Sequence, residues 1–218
     1  DAVIIVDVLS FSTSVDVAVS RGVAILPYRW KDKSAERFAG ERGALLARHR
    51  CHAGEGLSLS PSSLTQAASG ARLVLPSPNG SALSLAAEAH AEHVAAGCLR
   101  NCRAVAEWAS EFESVAVIPA GERWPDGSLR PAVEDLVGAG SIIRHLTGPW
   151  SPEARAAVAA FESAARDVLE FLLGSASGRE LKQAGFASDV EIASRIAVSD
   201  SVPVLRCGEF IDRTAPGE

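Results

Sequence analysis

The chain holds 218 residues, 47% of them hydrophobic and 22% charged, with a net charge of −6 at pH 7. This is the composition of a globular protein long enough for a sizeable core, and the negative balance removes the electrostatic basis for a nucleic-acid partner. The apolar runs are far too short to span a bilayer, so no membrane partner is expected.

Residues 3–6 are wholly apolar, the pattern of a central strand buried on both faces of a parallel sheet. The strand begins almost at Asp1 and the chain has no methionine, so further residues are expected to precede Asp1. At Asp7 the chain turns polar, and Leu9-Ser10-Phe11-Ser12-Thr13-Ser14 follows. A carboxylate at the carboxyl end of a strand is a site candidate. The same residues also serve simply to end a strand and cap a helix. This stretch alone leaves both readings open.

Residues 14–20 read as a helix closed by Gly22, and residues 23–26 as a strand closed by Pro27. Together with the first strand they form a βαβ unit. Residues 31–39 read as an exposed, charged helix. Residues 40–61 lack a clear period and read as a lid or an excursion over the sheet end. A short helix is expected at 61–68 and a strand at 73–75. Pro76-Ser77-Pro78-Asn79-Gly80-Ser81 then leads into an alanine-rich helix at 82–91. Residues 94–96 read as a strand. Asn101 is placed to cap a helix running to Phe112. A strand at 115–118 ends in Pro119-Ala120-Gly121.

The loop from Glu122 to Pro131 carries the densest chemistry, with an Asp126-Gly127 turn and Pro131 opening a helix. Glu134 and Asp135 fall in the first turn of that helix. Acidic residues there favour the helix dipole, and equally suit a hard cation. Residues 150–173 read as one long helix, 174–179 as a flexible loop, and 189–197 as a helix. Residues 202–205 read as a last edge strand, with a loose tail after Asp212. No linker or low-complexity tract appears, so residues 1–218 are expected to form one domain, with two sub-lobes left open.

Three times an apolar strand empties into a loop rich in Ser, Asn or Gly and runs on into a helix, near Asp7, Ser77 and Ala120. In a parallel sheet such loops share one edge. That predicts that Asp7, Asn79-Gly80-Ser81 and residues 121–135 converge. Cys51, Cys98, Cys102 and Cys207 match no zinc spacing and read as thiols of a cytosolic core. The pairs His49/His52 and His90/His93 read as surface histidines.

With these segments in view, the chain resembles the 2-phosphosulfolactate phosphatase family over nearly its whole length. The resemblance is carried by residues 7–14, by Pro78-Asn79-Gly80-Ser81 and by Ala96-Gly97-Cys98-Leu99-Arg100-Asn101. It continues in residues 119–124 and 133–140, in Ser177-Gly178-Arg179 and in Asp189-Val190-Glu191. It implies a three-layer α/β/α fold with a mainly parallel sheet. It also implies Mg²⁺-dependent hydrolysis of a small anionic phosphate monoester in the cytoplasm. The family's substrate is (2R)-2-phospho-3-sulfolactate, which yields 3-sulfolactate and phosphate on the way to coenzyme M. Oligomeric state stays open.

On this reading Asp7, Glu134 and Asp135 hold Mg²⁺, with waters completing its octahedron. Backbone amides of Asn79, Gly80 and Ser81 cradle the phosphate. Ser12 and Thr13 donate to the same oxygens, and Arg123 and Arg179 bind a second anionic group or the departing phosphate. Asp7, Ser12 and Arg123 form the catalytic set. Whether Asp7 attacks or only holds metal is left open, although Leu9 two residues on differs from the Asp-x-Asp of haloacid dehalogenase phosphatases. Many family members carry arginine where this chain has Ser10. Arg42, Arg123, Arg130 and Arg179 are the candidates to replace that charge, and a related subgroup with another phosphomonoester is one alternative. The other is a non-catalytic protein that binds an anionic metabolite on the same scaffold.

Overall fold

The structure is a computed structural model and describes residues 1–30, 32–48, 50 and 56–214. Cys51 and the His49/His52 pair lie outside the described residues. The first half of the chain gives β1 (Ala2–Val6), α1 (Phe11–Val19), β2 (Ala24–Tyr28), α2 (Lys33–Glu41) and β3 (Leu45–Leu46). Then come α3 (Pro61–Leu64), β4 (Arg72–Pro76), α4 (Gly80–Glu88), β5 (His93–Gly97), α5 (Cys102–Ala109) and β6 (Val115–Pro119). A small hairpin, β7 (Glu122–Arg123) and β8 (Leu129–Arg130), precedes α6 (Val133–Ile143). The remainder is α7 (Pro152–Ala164), α8 (Val168–Gly174), α9 (Ala176–Gln183), α10 (Ala187–Ala193), β9 (Pro203–Arg206) and β10 (Glu209–Asp212).

Eight strands make one sheet in the order β3-β4-β2-β10-β9-β5-β1-β6. β1 pairs in parallel with both β5 and β6, and β2 and β3 pair in parallel with β4. Strand alternation turns Ile4 and Val6 of β1 towards the layer of α5, α6 and α7, while Ile5 faces α1. Both faces are therefore buried, as the unbroken apolar run requires. α1, α3 and α4 cover one face of the sheet. On the other face α5 to α8 cover β1 and β5, and α2 covers Leu26 and Val74. The result is a three-layer α/β/α fold. Among the described residues no helix is long and apolar enough to cross a membrane.

Four local expectations change. The stretch read as one helix from 150 to 173 breaks between α7 and α8, because Asp167 accepts from Glu170 N at 3.0 Å and caps a new start. The stretch read as a flexible loop opens α9 instead, with Ser175 Oγ accepting from Gly178 N at 3.0 Å. Asn101 does not cap α5. Its Oδ1 accepts from Cys98 N at 2.9 Å and its Nδ2 donates to Ala96 O and Ser201 O.

The last strand, expected at an edge, lies in the middle of the sheet. β9 and the unforeseen β10 form a hairpin through Cys207 and Gly208, both at positive φ. β9 pairs antiparallel with β5 and β10 antiparallel with β2. The β3-β4-β2 set consequently runs against the β5-β1-β6 set, and the loops after β1 and β4 do not share an edge by simple parallelism. They meet because the sheet curls. A twist of roughly 20–25° per strand pair accumulates to about 100° or more between β4 and β1. α1 touches β2, β5, β9 and β10, and α4 touches β1, β2 and β5, so both helices lie inside the curl. Gly80 permits this approach: a Cβ there would stand 2.2 Å from Phe11 Cδ1.

Candidate functional site

Asp7 ends β1 and is only 6% exposed. Its Oδ1 accepts from Phe11 N at 3.0 Å and its Oδ2 from Gly80 N at 3.0 Å. One carboxylate therefore joins the starts of α1 and α4. Asp135, in the first turn of α6, accepts from Val8 N at 2.7 Å and from Gly121 N at 2.9 Å. It joins the ends of β1 and β6. Asn79 Nδ2 donates to Glu122 Oε2 at 2.8 Å and closes the ring of loops. The residues after β1, β4 and β6 thus meet, as the three strand-loop-helix repeats predicted.

The meeting concentrates negative charge. Burial, helped by the nearby Glu122 charge, pushes the Asp7 carboxyl up to about 6 against the pull of the Phe11 and Gly80 amides. Burial and the Asp7 charge raise Asp135 as well. Two neighbouring buried carboxylates disfavour each other's ionisation unless a cation joins them.

Several assigned side chains have other partners. Ser12 Oγ donates to Ile5 O at 2.9 Å and accepts from Asp7 N at 3.0 Å. Thr13 Oγ1 donates to Val8 O, and Ser81 Oγ to Leu75 O, each at 2.8 Å. All three residues are fully buried, so these hydroxyls secure the strand-to-helix turns and do not reach a ligand. The Gly80 amide, assigned to phosphate, is taken by Asp7. Arg179 is exposed and bonds the Gly174 carbonyl at its own helix start. Arg123 is exposed and donates to Gly127 O at 2.9 Å across the β7-β8 turn. It does line a groove of about 590 Å³ shared with Arg29, Asn79 and Glu122.

Glu134 is buried beside Asp135, yet among the described residues no three His, Cys, Asp or Glu side chains gather to hold a metal. The three-carboxylate set Asp7, Glu134 and Asp135 is corrected accordingly. Asp7 and Asp135 remain. Each of their oxygens that accepts an amide keeps a second lone pair. Mg²⁺ commonly takes one or two carboxylates and retains several waters, a mode these two residues fit.

Sequence reasoning missed Arg50. It sits in the stretch without period, and no local pattern marks it. Its Nη2 donates to Ser10 Oγ, and its Nε lies 3.4 Å from Asp189 Oδ2. Asp189 is fully buried in α10 and accepts from Ser60 Oγ at 2.6 Å and Ser62 N at 3.2 Å. Arg50 also packs on Phe186, 5.7 Å from the ring centroid. The guanidinium proposed from Arg42, Arg123, Arg130 or Arg179 to stand beside Ser10 is supplied by Arg50. Cys98 and Cys102 are buried free thiols, and burial raises both.

The fold and this rim define an α/β protein that presents paired carboxylates and a guanidinium at strand ends, the position where open α/β sheets bind ligands. The family model for 2-phosphosulpholactate phosphatase matches residues 1–208. A probable 2-phosphosulfolactate phosphatase of Thermus thermophilus is 33% identical over 94% of this chain and 88% of its own length. The 2-phosphosulfolactate phosphatase of Methanothermobacter thermautotrophicus is 32% identical over 95% of this chain and 88% of its own. That of Methanocaldococcus jannaschii is 27% identical over 63% of this chain and 57% of its own. The chain belongs to the 2-phosphosulfolactate phosphatase family.

Proposed function

We propose that this protein hydrolyses (2R)-2-phospho-3-sulfolactate to 3-sulfolactate and phosphate, with Mg²⁺ held by Asp7 and Asp135. The observation that carries the site assignment is the junction of these two buried carboxylates where the loops after β1, β4 and β6 meet. Phosphoryl transfer asks mainly for positioning and neutralised charge. Mg²⁺ bound there supplies that neutralisation and acidifies a water.

The chain's own residues do the rest. Four backbone amides fix the two carboxylates before substrate arrives, so no reorganisation is needed at the reactive moment. Both oxygens of Asp7 are engaged by amides, which blunts Asp7 as a nucleophile. Together with Leu9 two residues on, this favours water as the attacking group and Asp7 as a ligand. The Asn79–Glu122 pair borders the groove through which an ester can enter. The buried thiols Cys98 and Cys102 accord with a cytoplasmic enzyme, and coenzyme M synthesis is the pathway the substrate implies.

Phosphate release from a panel of phosphomonoesters tests the reading. Mg²⁺-dependent release from 2-phosphosulfolactate is expected, abolished by EDTA, and reduced about 100-fold or more in Asp7→Asn. Undiminished activity in EDTA would remove the metal role, and full activity in Asp7→Asn would remove Asp7.

A further inference from the structure

Arg50 carries more than a loop contact requires. A guanidinium has five N–H donors. Nη2 on Ser10 accounts for one; Nε faces Asp189 as an ion pair at 3.4 Å without a hydrogen bond, and among the described residues no other donor has a hydrogen-bond partner. Its side chain is only 19% exposed, so the charge is held largely out of water. Burial lowers its pKa from the usual arginine value, while the charges of Asp189, and of Asp7 and Glu122 nearby, oppose that shift. Arg50 also lines a cavity of about 540 Å³ whose other charged residues are Lys33 and Arg48 and the acidic Asp32 and Glu36.

Asp189 explains how the guanidinium keeps its place. Its Oδ1 is fixed by Ser60 and Ser62, which leaves Oδ2 directed at Arg50. A buried charge facing a half-engaged guanidinium orients a planar fork without filling it.

We propose that Arg50 binds an oxyanion group of the substrate at the Asp7 rim, and that Asp189 is the residue that positions it. The proposal rests on the phosphatase reading for the identity of the ester but not for the presence of an anion site. A pin that merely held the loop would affect stability and leave substrate affinity alone.

Steady-state kinetics with 2-phosphosulfolactate and with 2-phospholactate, which lacks the sulfonate, separates these cases. Arg50→Gln, which keeps the first part of the stem and removes the guanidinium over Phe186, is expected to raise KM about 10- to 100-fold with kcat much less affected. Asp189→Asn keeps an acceptor for Ser60 and Ser62 but removes the charge and turns an N–H donor towards Arg50 in place of Oδ2. It is expected to raise KM about 10-fold at a near wild-type thermal midpoint. A rise with both esters assigns Arg50 to the phosphate or carboxylate, and a rise confined to the sulfonated ester assigns it to the sulfonate. Unchanged KM for both esters in Arg50→Gln overturns the proposal.

If the wild type hydrolyses neither ester, calorimetry with inorganic phosphate and methanesulfonate decides. Binding present in the wild type and lost in Arg50→Gln upholds the anion site while the substrate reading falls. Binding that is equal in both proteins, or absent from both, overturns Arg50.

Discussion

Asp7 sets function against stability. Its carboxyl titrates near 6 in the folded protein against 3.8 ordinarily, with burial as the main cause. The native state therefore holds its proton more tightly than the unfolded chain does. Between about pH 4 and 6 the folded form binds more protons, so this residue's contribution to stability falls as pH rises through that window. Ligation of a cation needs the opposite, ionised form. We expect kcat/KM to rise with pH along a limb centred between about 4 and 6, while urea titrations of the apoprotein show Asp7→Asn losing the matching part of the stability trend. A flat acid side down to pH 4 would contradict the assignment. At this scale the site was partly legible. Asp7 and Asp135 stand where strand ends and helix starts could be read. Ser12, Thr13 and Ser81 had the right chemistry for phosphate, but their buried hydroxyls answer to carbonyls that only the folded turns bring near.

The same distinction recurs among the elements. Period and composition give α7 and α8 as one helix, because the apolar stripe runs on through Phe161, Ala164, Val168 and Leu172. The break at Asp167 is a capping event, and caps compete with helix continuation by only about 1 kcal/mol. Asp167→Ala should cost about 0.5–2 kcal/mol in chemical denaturation. No loss would show that packing, of α7 on α6 and of α8 on α9 and α10, sets the break. α9 was misread for a similar reason: Ser175-Ala176-Ser177-Gly178 has loop composition, but the Ser175 hydroxyl satisfies the Gly178 amide. Gly178 is needed for a different reason, since a Cβ there would stand 1.8 Å from Leu172 O.

Across the whole molecule, the β9-β10 hairpin joins two sets of strands that are each parallel within themselves but opposed to one another. Phe210 sits at this join, fully buried and edge-on to Phe11 with centroids 6.0 Å apart. Because Phe11 is also the residue on which Gly80 rests, the hairpin supports the curl that brings Gly80 to Asp7. Phe210→Ala is expected to cost about 3–5 kcal/mol in unfolding free energy. It should lower activity through the site as well as through stability. A variant of that kind with full specific activity at a temperature where it stays folded would uncouple the hairpin from the rim.

The sequence by itself determined what is local: apolar runs of strand length, the repeated strand-loop-helix order, and acidic residues at a helix start. These depend on residue type and spacing within a few positions, and the family motifs are written in the same short stretches. Only the tertiary structure decided that the C-terminal hairpin lies inside the sheet, that twist rather than parallel order gathers the loops, and that Arg50 and Asp189 stand beside Ser10. Those outcomes join residues as distant along the chain as Ile25 and Phe210, or Arg50 and Asp189. They are settled by burial and hydrogen-bond satisfaction in the folded core, for which the linear pattern holds no signal.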